Sequence, residues 1–251
     1  MTPRMAGTPG TPKSEFLSMV RRALGRDAAP PDPPYPRLED ALAGLEAEAS
    51  AVHRRLAENR TVLMDRLARM AELGGWNVHR SANYEDAVGY IETLAASLGV
   101  DRVVRTAHEV FEQAPVDTVL QDMGLSVTTV AHGEATSRGS LRQEIIASGI
   151  GITGADYALA ETGTVVLLTR KGLSRLVSLV PPVHVALVRP QDVIETLDDF
   201  FLLRRLQYHR EGGEMGSYLN FITGPSRTAD IEMTLVVGVH GPKEVHLVLL
   251  G

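Results

Sequence analysis

The chain of 251 residues carries 31 Asp and Glu against 25 Lys and Arg, a formal net charge of -6, and no cysteine. The missing cysteines exclude disulfides, cysteine nucleophiles, zinc–thiolate sites and cysteine-held iron–sulfur clusters on this chain, and the acidic balance argues against a nucleic-acid partner. No run approaches the roughly 20 apolar residues that span a bilayer, and the N-terminus offers no apolar secretory core, so a cytoplasmic chain without a membrane segment is expected. The length suits one α/β domain with an extra arm, or two small domains. Residues 1–13 lack apolar patterning. Ser14 is placed to cap a short helix with Phe16, Leu17, Val20 and Leu24 on one face, ended near Gly25. The run APPDPPYP, residues 29–36, is an extended linker because successive prolines fix φ and remove donors. Residues 1–37 therefore read as a flexible N-terminal arm and residues 38–251 as the α/β domain.

Residues 38–73 keep the three-to-four-residue apolar spacing of long helical structure, stopped by Gly74-Gly75. Helices are then expected over 84–98, 116–123, 141–148 and 192–206. Strands are expected over 76–79, 102–105, 125–130, 183–188, 219–222 and 245–250, with a hairpin 158–161/164–168 turning at Thr162-Gly163. This alternation implies a mostly parallel mixed sheet with flanking helices and some antiparallel pairing.

Three blocks carry the most information: GITGADYALAETGTVV at 151–166, SLVPPVHVALV at 178–188, and ITGPSRTADIEMTLVVGVHGPKEVHLVLL at 222–250. Together they resemble the signature of the LUD-domain family of lactate-utilisation proteins. The resemblance implies a NagB/RpiA/CoA-transferase-like fold. It also implies a non-redox subunit of a system that oxidises L-lactate to pyruvate beside iron–sulfur partner proteins. The absence of cysteine fits that division, since electrons would run through the partners. No cofactor is expected on this chain. A small anionic metabolite is the expected ligand, and a homo-oligomer is compatible with the arm.

The residues also have readings of their own. Gly149, Gly151 and Gly154 spell a dinucleotide fingerprint, but a helix precedes them where a strand is required. They read instead as a helix C-cap and two points of backbone freedom. Asp156, Glu161, Thr162 and Gly163 surround the hairpin turn. Glu161 either faces a cleft or caps a turn. By the CoA-transferase resemblance it is the candidate catalytic carboxylate, and a stand-alone enzyme on a CoA ester or phosphorylated small molecule is the alternative function. Gly224, Ser226, Arg227, Thr228 and Asp230 are expected to open a helical turn at a strand end. Free N–H groups, hydroxyls and a guanidinium there would hold an anion, unless Arg227 braces Asp230 or Glu232. His240 sits in a loop suited to the same site, whereas His184 reads as a core histidine. No histidine spacing suggests a metal. Gly172, Ser174 and Arg175, with Lys171, form a polar loop. The hairpin and the Gly224 turn are expected to share one cleft at the C-terminal edge of the sheet.

Overall fold

The structure, a computed structural model, describes residues 12–25, 42–131, 138–169, 174–212, 216, 218–229 and 235–251. The chain divides into two compact units, Met1–Asp40 and Ala41–Gly251. In the first, helix α1 (Lys13–Ala23) follows Pro12, and no side chain caps it. Ser14 instead lies inside the helix, its carbonyl accepting from the Ser18 hydroxyl. Phe16, Leu17, Val20 and Leu24 are exposed.

The second unit is built on six strands. These are β1 (Asn77–Ser81), β2 (Arg102–Thr106), β3 (Ser126–Val130), β4 (Ile150–Gly154), β7 (Val183–Val188) and β12 (Glu244–Leu250). They lie in the order β1-β12-β7-β4-β2-β3, and every pair is parallel. Both central strands, β4 and β7, are buried along their whole length. That is why β7 reads as VHVALV and not as an alternating pattern: a parallel sheet is covered on both faces.

Helices α4 (Tyr84–Leu98) and α5 (Val116–Asp122) supply one cover. Ala87, Val88, Ile91 and Ala95 of α4 join Ile150, Ile152, Val183, Val185 and Leu187 in one core. Full burial of each such aliphatic side chain stabilises by about 1.5–3 kcal/mol. The other face carries α2 (Leu42–Glu58), α3 (Arg60–Gly74), α7 (Leu197–Arg210) and a second sheet. That sheet takes the order β8-β5-β6-β9 from β5 (Tyr157–Leu159), β6 (Thr164–Leu168), β8 (Val193–Ile194) and β9 (Leu219–Ile222). Leu45, Leu67, Phe200, Val165 and Leu247 pack together there. Arg55 of α2 binds Asp199 at 2.6 Å and Glu195 at 3.1 Å, joining α2 to the start of α7. Helix α6 (Arg138–Ala147) lies beyond β2, where Ile145 meets Val104 and Val177. A two-stranded ribbon, β10 (Arg227–Ala229) with β11 (Leu235–Val237), completes the described elements.

Several expectations are corrected. The helical structure expected over 38–73 is present from Leu42 as two helices, separated at Asn59, whose side-chain amide bonds back to Arg55 O at 2.9 Å. Helix α7 starts at Leu197 and not at 192. A 3-10 turn (Pro190–Asp192) and β8 come first, and the Thr196 hydroxyl accepts from Asp199 N at 3.1 Å as the N-cap. Of the glycines at 149, 151 and 154, the last two lie in strand β4 and Gly149 directly precedes it. A Cβ at Gly151 would lie 1.9 Å from Val177 O, and one at Gly154 would lie 2.1 Å from His108 Nδ1. These glycines serve close approach, not freedom of φ. After Gly224 the chain enters β10, so no helical turn opens there.

Candidate ligand site

In a parallel sheet all strands end on the same side. Here β2 ends at Thr106, β4 at Gly154 and β7 at Val188. The side chains just beyond those ends gather around an open cleft of about 510 Å3, lined among others by His108, Asp156, Tyr157, Arg189, Asp192 and Arg204. A smaller pocket opens beside it between Thr106, Thr153, Gly154, Thr169, Ser174 and Arg175, and Asp156, Leu168 and Thr169 line both. Ligands of open α/β sheets settle at this edge because strand ends and their loops converge there.

His108 is 5% exposed. It caps a 3-10 turn (Glu109–Glu112) by accepting the Val110 N–H on Nδ1 at 3.2 Å. That contact puts the proton of the neutral ring on Nε2, which lies 3.9 Å from Asp156 Oδ1. The other Asp156 oxygen accepts from Leu168 N at 2.7 Å. A carboxylate acceptor and an imidazole donor thus stand side by side on one wall. Gly154 makes this possible, because any side chain there would occupy the ring's place.

Next to this pair lies a charge network. Arg189 grips Asp192 with Nε at 2.7 Å and a terminal nitrogen at 3.0 Å, and reaches Glu109 at 2.6 Å. These partners raise the Arg189 pKa, the Asp192 hydrogen bond most of all. Burial pushes the Asp192 carboxyl up, with Arg189 opposing it. Burial likewise raises the Tyr157 phenol, partly offset by Arg204.

Of the residues singled out from sequence, Gly154 and Asp156 lie at this edge, and Ser174 and Arg175 of the polar loop line its smaller pocket. The others lie elsewhere. Glu161 Oε1 accepts from Leu197 N at 2.6 Å, at the N-terminus of α7. Thr162 donates to the Thr164 hydroxyl at 2.8 Å, which is 3.0 Å from that of Thr223, while Gly163 takes φ +68° against Met70 and Ala71. Ser226 N donates to Pro242 O at 2.8 Å, and its hydroxyl accepts from His240 N at 3.2 Å. Thr228 pairs with Val236 in the β10–β11 ribbon. The Arg227 guanidinium lies across Gly75, itself at φ +97°, 2.2 Å from where a Cβ would stand. Asp230, Glu232, Lys171 and Gly172 lie outside the described residues.

The hairpin tip and the Gly224 turn therefore do meet, through Thr164 and Thr223. They meet at the opposite edge from the one expected, where Gly75, Pro182 and Pro242 precede the starts of β1, β7 and β12. Thr106, His108, Thr153, Arg189 and Asp192 escaped sequence reasoning. The available signal was position: Thr106-Ala107-His108 and Arg189 directly follow apolar strand runs. Among the described residues no group of three or more His, Asp or Glu could hold a metal ion, and no helix is long and apolar enough to cross a membrane.

A parallel α/β sheet with its polar cleft at the strand ends defines the class. The chain belongs to the LUD domain family, whose model matches residues 64–250. Lactate utilization protein C of Halalkalibacterium halodurans is 41% identical over 133 residues, 53% of this chain. The chain spans only 55% of that protein's length. The protein of the same name from Anoxybacillus flavithermus is 32% identical over 160 residues, 64% of this chain and 68% of that one. The one from Bacillus pumilus is 27% identical over 245 residues, 94% of this chain and 96% of that one. A DUF162 family protein from Deinococcus radiodurans shares the fold, with a TM-score of 0.51 at 22% identity over 76% of this chain and 98% of that one.

Proposed function

We propose that this chain is a non-redox component of a lactate-utilisation system, working with iron–sulfur partner proteins in the oxidation of L-lactate to pyruvate. The observation that carries this is the match along nearly the whole length of the Bacillus pumilus lactate utilization protein C. The chain's lack of cysteine supports placing cluster chemistry on partners. A cytoplasmic setting belongs to the same proposal. The cleft at the C-terminal edge is where a small anionic metabolite would be handled. His108 and Asp156 are there to donate to one oxygen and accept from another. The alternative, a stand-alone enzyme with Glu161 as nucleophile, has less support, since Glu161 is engaged on the α7 N-terminus outside both cavities.

The test is reconstitution. An extract of the source organism lacking this chain should fail to reduce an electron acceptor with L-lactate, and adding the purified chain should restore the reaction. The chain alone should show no turnover. Lactate oxidation by the chain alone, at a rate indifferent to the extract, overturns the proposal, as does an unimpaired deletion extract.

A further inference from the structure

The smaller pocket at the C-terminal edge presents three hydroxyls, two of them oriented by contacts and one without a partner among the described residues. Thr106 is 4% exposed, and its Oγ1 has no hydrogen-bond partner among the described residues. Ser174 Oγ accepts from Leu176 N at 3.3 Å, so its own proton is left to donate elsewhere. Thr153 Oγ1 lies 2.9 Å from Nε2 of His184, which is fully buried. Burial holds the His184 pKa down at about 3, helped by His246, so the ring is neutral. Its Nδ1 has no partner among the described residues. A buried N–H left unpaired costs more than an unused lone pair. The proton therefore sits on Nε2 and is donated to Thr153, whose hydroxyl hydrogen is turned away from the ring.

Arg175 completes the lining, its guanidinium 4.7 Å above the Tyr218 ring. The pocket's free space is about 10 Å3, about what one water-sized group fills. Against these donors the lining has one carboxylate, Asp156, with one oxygen on Leu168 N and the other toward His108.

We propose that this pocket is the carboxylate subsite for a 2-hydroxycarboxylate. One carboxylate oxygen takes the hydroxyl hydrogens of Thr106, Thr153 and Ser174, and the other faces Arg175. The 2-hydroxyl, one carbon away, donates to Asp156 and accepts from His108 Nε2. The rest of the ligand points into the larger cleft, whose 510 Å3 exceeds what a methyl group needs. The inference rests on the functional reading above only in giving its small anionic metabolite a chemical form. The free space admits one oxygen of the anion, with the rest of the ligand lying outside it.

The experiment is calorimetric titration of the full chain with L-lactate, propionate, lactamide and inorganic phosphate. Lactate should bind best, propionate more weakly for want of the hydroxyl, and lactamide most weakly for want of the charge. Thr106→Val keeps shape and removes the hydroxyl. It should weaken lactate about 10-fold or more, the ratio expected for one hydrogen bond to a charged group, and weaken lactamide, a neutral acceptor, by less. Thr153→Val is the second variant and should behave alike, with melting temperatures confirming that both fold. Lactamide binding as tightly as lactate, phosphate binding more tightly, no saturable lactate binding at millimolar ligand, or both variants binding as wild type overturns the subsite. An extract restored equally well by Thr106→Val and wild type removes the subsite and leaves the lactate-utilisation role standing. Lactate binding as described, with no effect of the chain on the extract, does the reverse.

Discussion

The two edges of the parallel sheet use glycine for opposite ends. At the N-terminal edge, Gly74 and Gly224 bring backbone onto backbone. A Cβ on Gly74 would lie 2.4 Å from Thr223 O, and one on Gly224 would lie 2.3 Å from Gly74 O. Nothing soft stands there to yield, and the turn is tied further by Ser226 to Pro242. At the C-terminal edge, Gly154 clears space for the His108 ring, a side chain with a donor to offer. The first edge is a clamp and the second the candidate site. Sequence reading could not tell them apart, because a glycine that admits backbone and one that admits a ring look alike in the chain.

The sharpest way to break this contrast is to put a methyl group on each edge. Gly224→Ala should lower unfolding free energy by about 2–3 kcal/mol, the range of overpacking against groups that cannot move aside, and leave lactate affinity of the folded fraction intact. Gly154→Ala should cost less stability, since a side chain has to move, but should abolish lactate binding by displacing His108. Denaturant titration and calorimetry on the two proteins give both numbers. Equal stability losses with equal binding would erase the distinction.

A smaller effect probes what lies between the edges. His184 in the sheet interior has its pKa lowered to about 3 by burial, against an ordinary value of 6.5. Between those values the unfolded chain binds the proton and the folded one does not, so stability falls as pH drops from about 6.5 toward 3. His246 is lowered as well, again mainly by burial, and acts in the same direction. In His184→Leu the slope of unfolding free energy against pH, measured between about pH 4 and 6, should be shallower by about 1.4 kcal/mol per unit. An unchanged slope would mean that the ring takes up its proton in the fold.

The smallest effect belongs to Glu161. As an acceptor for Leu197 N at the start of α7, its replacement by Ala should cost about 1 kcal/mol, the usual worth of an N-terminal cap. The reconstituted reaction should be unaffected. Loss of the reaction with unchanged stability would restore Glu161 to a catalytic part.

The parallel framework was legible because burial on both faces writes itself as unbroken apolar runs, as in Val183–Val188, and because Gly75 and Gly99 end their helices in the left-handed conformation. Strand β4 was not. Its sequence, IGITG, holds two glycines, and the reason for them lies in Val177 and His108, one of them far away in the chain. The helical turn expected after Gly224 failed similarly, since the partner strand Leu235–Val237 decides that segment. For the site, Gly154 and Asp156 drew notice through their motif. His108 and Arg189 carry no motif and become visible only when strand ends are brought side by side.

The contact between Gly154 and His108 also bears on how this fold diverges. A ring lying where a Cβ would be couples two positions 46 apart in the chain, so neither is free to drift alone. In an alignment of this family the pair should change together or not at all. A member with any larger residue at the glycine should also have lost the histidine, marking lineages in which this edge serves another chemistry.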